Sequence, residues 1–184
     1  MHDQQRYQVR FDWGEAGARR IARTAHVVVV ADELDSHGRA SGAQLAAAIA
    51  ETAGERQAVL CATEASSVDA AAWILRLQES LGDRAVVAVV AAGSLDDDGF
   101  RAAVEDQFAA GAVIDALAEV GIDFASPEAA AACAGFVGLR RATGHLLTAS
   151  VSAERGERGA AGAREQRLGH PAVCAVLREF SASA

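Results

Sequence analysis

The stretch that decides the fold is RAVVAVVAAGSLDDDGFRAAVEDQFAAGAVIDAL, residues 84–117. It opens with a run of Val and Ala, residues 84–92, of the kind found in strands that are buried on both faces. An acidic loop follows at residues 93–99, and apolar residues then recur at helical spacing. The adjacent carboxylates Glu105 and Asp106 stand at the start of that helix. A buried strand, a polar loop and a helix form the repeating unit of an α/β fold.

The same alternation of strand and helix patterns extends outward from this stretch. Further strands are predicted from alternating or continuous apolar residues at 6–12, 26–31 and 57–63. Helices are predicted from periodicity, Ala content and start signals at 14–23, 42–53, 66–81, 101–120, 127–136 and 138–149. The sequence therefore predicts an α/β fold with three α/β/α layers around a central sheet that is largely parallel, or mixed.

Three local features refine this prediction. Ser66 and Asp69 resemble a capping box, and Ser126 precedes a Pro at the first position of a helix. Residues 173–178 fit either a last strand or a short helix. We expect a single domain over residues 1–184, with a polar mobile segment near 153–169 and a disordered tail.

Composition excludes several classes of function. The formal net charge of −8 argues against nucleic acid and anionic membranes as partners, because both need a basic surface. No apolar run approaches the roughly 20 residues of a membrane span, and the polar start of the chain is unlike a signal peptide. The three cysteines show no CxxC pairing, so neither a zinc site nor a disulfide framework is expected. A cytoplasmic location follows as the expectation.

Common catalytic motifs are missing from the sequence. It contains no GxGxxG, no GxxxxGK[ST] and no GxSxG pattern, and no Lys that could form a Schiff base. The five histidines show no HxH or HxxxH spacing, and His37 alone lies in a predicted loop at a strand end. Nucleotide binding through a glycine-rich loop and serine hydrolase chemistry are therefore not indicated.

Carboxylates are the strongest chemical signal. In a parallel sheet, ligands bind at the carboxyl ends of the strands, where the loops 32–39, 62–67 and 92–100 are expected. The acidic residues that could converge there are Asp32, Asp35, Asp96, Asp97, Asp98, Glu105 and Asp106. Oxygen ligands of this kind suit Mg²⁺, which often bridges to a phosphate. The alternative interpretation is that these acidic loops are simply solvated.

Several segments, taken together, resemble the 2-phosphosulfolactate phosphatase family. They occur in the family's order and are YQVRFDWGEAGARRIA (7–22), VVVVADEL (27–34), VVAVVAAG (86–93), RAAVEDQFAAGAVIDAL (101–117) and GLRRATGHLLTAS (138–150). The family consists of α/β, Mg²⁺-dependent acid phosphatases. Its named reaction hydrolyses 2-phosphosulfolactate to sulfolactate and phosphate, a step towards coenzyme M.

The resemblance implies a set of site residues. Asp32, Glu105 and Asp106 would be catalytic and would hold Mg²⁺. The anionic groups of a small phosphoester would be bound by the substrate-binding residues Arg39, Arg140 and Arg141.

The chain also departs from the family pattern, which leaves a second hypothesis open. Asp35 stands where the family carries an Arg. The guanidinium group of arginine can bind a phosphate through two parallel hydrogen bonds. The family's Asn-Gly-Thr or Asn-Gly-Ser loop is missing as well. The alternative is therefore a catalytically degenerate relative that acts as a binding or scaffold protein. The Ala-rich helix at 43–53 could pack in a core or in a homodimer, and the sequence does not separate the two.

Overall fold

The computed structural model describes residues 4–34, 42–156 and 159–181. The strands of these ranges are β1 (Val9–Trp13), β2 (Val27–Ala31), β3 (Ala58–Ala62), β4 (Val87–Ala91), β5 (Ser94–Asp96), β6 (Gly99–Arg101) and β7 (Ala175–Arg178). The helices are α1 (Gly14–Ile21), α2 (Gly42–Thr52), α3 (Ser67–Leu81), α4 (Val104–Glu119), α5 (Pro127–Leu139), α6 (Thr143–Thr148), α7 (Val151–Arg155) and α8 (Gly159–Gly169).

Five of the strands form one sheet in the order β1-β4-β2-β3-β7. The first four are parallel, and β7 pairs with β3 in the antiparallel direction. Strands β5 and β6 form a separate hairpin between β4 and α4. The prediction of a largely parallel or mixed central sheet is confirmed.

Helices cover both faces of this sheet because the buried strands carry apolar side chains on both faces. In β2, Val27, Val29 and Ala31 pack with α3, α4 and α5 on one face. Val28 and Val30 pack with α1 and α2 on the other face. The three-layer α/β/α arrangement predicted from the sequence is therefore confirmed.

The loop from β2 leads to α2 on one face, while the loop from the neighbouring strand β4 leads to α4 on the opposite face. Adjacent parallel strands whose connections diverge in this way leave a crevice at their carboxyl ends, and α/β sheets bind ligands in such crevices. Glu105 and Asp106 in the first turn of α4 lie at this edge of the sheet.

Helix starts were predicted with mixed success. Ser126 accepts a hydrogen bond from the Ala129 amide, as expected for an N-cap. The capping box predicted at Ser66 is wrong: its side chain makes no capping hydrogen bond, and it accepts one from the Thr63 amide instead. The Asp69 carboxylate accepts a hydrogen bond from the Cys174 amide, which attaches the start of β7 to α3.

Two further details differ from the prediction. The acidic loop at 93–99 contains most of the β5-β6 hairpin, which the sequence pattern did not reveal. Val68 and Val104 are apolar residues that helical spacing would place on a buried face, yet they are 73% and 43% exposed. The polar residues Ser67 and Glu105 beside them are buried instead. Within the described residues, no helix is both long and apolar enough to cross a membrane.

The C-terminal part of the chain forms α7, α8 and β7 in the described ranges 151–156 and 159–181. Residues 173–178, which fitted a strand or a helix, contain the strand β7. Mobility of the segment near 153–169 stays a prediction, and residues 182–184 of the tail lie outside the described ranges.

Candidate functional site

Carboxylates gather where β2, β3 and β4 end. The loops that follow these parallel strands leave the sheet at one edge and carry Asp32, Glu33 and Glu64. The side chains of Glu33, Glu105 and Asp106 are almost completely buried, with exposures of only 1%, 1% and 2%. Buried carboxylates are rare unless they are paired, so each one needs a physical account.

Asp106 ties two strand-end loops together. Its Oδ1 accepts a hydrogen bond of 3.0 Å from the Glu33 amide, and its Oδ2 accepts one of 2.8 Å from the Gly93 amide. Burial raises the pKa of this carboxyl well above its usual range, and the nearby charges of Asp32 and Glu105 add to the effect. The two amide hydrogen bonds act in the opposite direction. Asp106 therefore positions the ends of β2 and β4 relative to each other.

Glu105 is the least satisfied group at this edge. Neither Oε1 nor Oε2 has a hydrogen-bond partner among the residues that the structure describes. A buried polar atom without a partner costs about 1–3 kcal/mol, and more when it is charged. Such a group marks a place where a cation or ligand can complete the site.

Glu33 is a buried carboxylate that sequence reasoning missed. Its Oε2 accepts a hydrogen bond of 2.7 Å from the Glu64 amide, and its Oε1 has no partner in the described ranges. Burial raises the pKa of Glu33 to about 7, and the neighbouring charges of Glu64 and Asp32 support that rise. The amide hydrogen bond and the Arg167 guanidinium oppose it. The sequence did contain a signal, because Glu33 directly follows the predicted ligand Asp32 at a strand end.

Asp32 has a more ordinary environment. It is half-buried, and its Oδ2 accepts a hydrogen bond of 2.8 Å from the Gly42 amide at the start of α2. Asp32 therefore links the end of β2 to the next helix, and it raises the pKa of both Glu33 and Asp106 through its charge.

The predicted substrate-binding arginines are placed differently. Arg39 lies outside the described residues, as do Asp35 and His37. Arg140 and Arg141 are exposed and follow α5. This helix begins beside the start of β1 and crosses α4 near Gly111, so it ends towards the edge that carries the carboxylates. In the described part of the chain, neither side chain takes part in an ion pair with a carboxylate.

The run Asp96–Asp98 does not join the buried carboxylates. Asp96 forms ion pairs with Arg101 at 3.1 Å and Arg155 at 2.6 Å. Asp97 and Asp98 are exposed at the turn of the β5-β6 hairpin. For these last two residues the structure agrees with the interpretation of a solvated acidic loop.

The geometry of these residues limits how they could hold Mg²⁺. Within the described ranges, no three His, Cys, Asp or Glu side chains form a group that could hold a metal ion. Asp32, Glu105 and Asp106 therefore do not form a three-ligand cage. Mg²⁺ is often held by one or two carboxylates and keeps several waters, and the unpartnered oxygens of Glu105 provide ligands of that kind. The carboxylate of Glu105 therefore has donor chemistry that suits the ion.

Comparison with known proteins adds no assignment. Neither the protein-family models, nor the curated proteins, nor the solved structures contain a match to this chain.

Proposed function

We propose that this protein is a Mg²⁺-dependent phosphatase that hydrolyses a small anionic phosphoester. The observation that carries the proposal is Glu105, a buried carboxylate with no hydrogen-bond partner among the described residues, at the edge of a parallel sheet where such folds bind ligands. The resemblance noted in the sequence narrows the substrate to 2-phosphosulfolactate and the products to sulfolactate and phosphate. It also favours a cytoplasmic enzyme that acts on the way to coenzyme M.

The residues would divide the work as follows. Glu105 and Asp32 would hold the cation, and Asp106 would fix the loops after β2 and β4 through its two amide hydrogen bonds. Bound Mg²⁺ supplies Lewis acidity towards a phosphoryl oxygen or a bound water. The exposed Arg140 and Arg141, together with Arg39, would attract the anionic groups of the substrate.

A binding or scaffold protein that has lost catalysis is the second candidate, and specific contacts favour it. Asp106 and Asp32 accept hydrogen bonds from backbone amides of their own chain, and Glu64 is paired with Arg167 at 3.0 Å. These carboxylates already have partners that stabilise the fold. The carboxylate of Asp35 in place of an arginine would also repel a phosphate.

Phosphate release by the purified protein separates the two candidates. The substrates are 2-phosphosulfolactate and a generic aryl phosphate, each with Mg²⁺ and with a chelator. The variants are Glu105→Gln and, as a matched control, Glu119→Gln at the exposed far end of the same helix. An active phosphatase releases phosphate only with Mg²⁺, loses at least about 100-fold in kcat for Glu105→Gln and keeps its rate for Glu119→Gln. No release by the folded wild-type protein contradicts the proposal and favours the scaffold.

A further inference from the structure

Helices α7 and α8 lie across the edge of the sheet that carries the buried carboxylates. Leu34, which directly follows Glu33, packs against Ala153 of α7 and Ala163 of α8. Arg167 of α8 pairs with Glu64 in the loop after β3. These two helices thus contact the loops that leave both β2 and β3.

The hairpin after β4 is attached to α7 as well. Asp96 of the hairpin accepts hydrogen bonds from both Arg101 and Arg155, and Arg155 belongs to α7. Arg101 also donates a hydrogen bond of 3.0 Å to the Ser152 hydroxyl of α7. Helices α7 and α8 form one layer, which we call the cover: residues 151–155 and 159–169. The hairpin is the part of the molecule to which α7 is attached.

Small contacts hold the cover to the strand-end loops and to the hairpin, and α8 also lies against α6. Its apolar cluster with the loop after β2 consists of Leu34 and two alanines, which bury little apolar surface. Its polar contacts include those of Arg155 and Ser152 with the hairpin and the Arg167–Glu64 pair. The Arg155 side chain is 61% exposed, so its ion pair is in contact with water and contributes little alone. Few apolar contacts and exposed polar ties are properties of segments that open locally.

Closure of the cover conflicts with access to the site. Glu33, Glu105 and Asp106 are shielded from water in the structure, whereas a phosphoester or a hydrated cation must reach them. Strands β2 and β4, which end at this edge, are fully buried in the core and cannot move aside to admit a ligand. The cover meets the loops after β2 and β3 through one small apolar cluster and one ion pair in the described ranges.

We propose that the cover is a lid that opens to admit ligand to the carboxylates and that Asp96 is its latch. A role in ligand entry rests on the proposed function. The opening itself is a property of the protein alone and can be measured without any ligand.

Hydrogen exchange of the full chain, read residue by residue by NMR, tests the lid. The variant is Asp96→Asn, which removes the charge that Arg101 and Arg155 share. The matched control is Asp98→Asn, in the same hairpin, where the carboxylate is exposed. We expect amides of α7 and α8 to exchange about three to ten times faster in Asp96→Asn, while Asp98→Asn behaves like the wild type.

The core strands distinguish opening from general destabilisation. Amides of β2 and β4 should keep their wild-type rates in Asp96→Asn, because a local opening leaves the sheet intact. High salt should also speed exchange of the cover amides in the wild type, since it screens the ion pairs. The inference is overturned if the cover amides exchange at the same rate as the strand amides in every protein, or if Asp96→Asn changes both sets equally.

Failure of the lid and failure of the proposed function remain distinguishable. A cover that opens in a protein without phosphate release leaves the lid standing and removes the phosphatase. If phosphate is released in a metal-dependent way but the cover amides exchange only through global unfolding, the phosphatase is supported and the lid is contradicted.

Discussion

At the scale of single residues, three buried carboxylates at one sheet edge are in three different states. Asp106 is satisfied by two backbone amides, Glu33 by one, and Glu105 by none within the described ranges. The sequence pointed to Asp106 and Glu105 because they are adjacent at a helix start. The sequence did not reveal that Asp106 joins two loops whereas Glu105 has no partner among the described residues. The partners of such side chains lie far away in the chain, so the local pattern does not identify them.

The raised pKa of Glu33 predicts how stability depends on pH. Its folded pKa of about 7 lies above the ordinary 4.5, so the folded chain binds more protons than the unfolded chain between these values. The free energy of unfolding contributed by this group therefore falls as pH rises from about 4.5 to about 7. The variant Glu33→Gln keeps an acceptor for the Glu64 amide and cannot ionise.

We expect Glu33→Gln to be more stable than the wild type by about 1–3 kcal/mol above pH 7. The difference should shrink towards acidic pH. Urea unfolding at several pH values, in the presence of a chelator, measures it. A wild-type protein that gains stability relative to the variant as pH rises would show that Glu33 is better solvated, or better paired, than the structure indicates.

At the scale of elements, α4 is the central helix, and the contact with α5 fixes where its N-terminus lies. The two helices cross closely at Gly111, where an added Cβ would lie 2.5 Å from the Ala132 carbonyl oxygen and 2.6 Å from the Phe136 Cβ. The buried residues of α4 surround the helix, because it packs against the sheet, α3 and α5. Helical periodicity therefore predicted the element well but could not reveal which face meets which partner.

The close crossing leads to a prediction for Gly111→Ala. In most helices alanine is favoured over glycine by up to about 1 kcal/mol. Here the methyl group would collide with the backbone of α5, so we expect a loss of about 1–3 kcal/mol in the free energy of unfolding. Denaturant unfolding checks this value.

Gly135→Ala in the partner helix α5 is the matched control. An added Cβ there would meet only the end of the Gln107 side chain, at 3.8 Å. This substitution should be neutral or should stabilise the protein by about 0.5–1 kcal/mol. Equal effects of the two substitutions would mean that α4 and α5 do not approach as closely as described.

At the scale of the whole molecule, the sequence predicted the layers but not the strand order. Runs of β-branched residues at 26–31 and 84–92 predicted strands buried on both faces, and these strands are the neighbours β2 and β4. Chain order alone would place β3 between them. The pairing instead brings the loops of β2 and β4 together at Asp106, which accepts hydrogen bonds from the amides of Glu33 and Gly93. Sequence reasoning could not predict that one side chain joins these two loops.

The cover was also outside the reach of sequence patterns. Residues 153–169 are polar and rich in glycine, and such composition indicates a loop as readily as a short helix. Their contacts with Leu34, Glu64 and Asp96 depend on the fold of the first hundred residues. Composition therefore predicted a polar segment, whereas its position over the carboxylates required the structure.

The central claim is that Glu105 receives a divalent cation, and a titration with Mn²⁺ as the paramagnetic substitute for Mg²⁺ tests it most directly. Free Mn²⁺ is measured by electron paramagnetic resonance with the wild type, Glu105→Gln and the control Glu119→Gln. We expect one site that Mg²⁺ displaces, that Glu119→Gln retains and that Glu105→Gln weakens at least about tenfold. Equal binding by all three proteins, or none by the folded wild type, would contradict the claim.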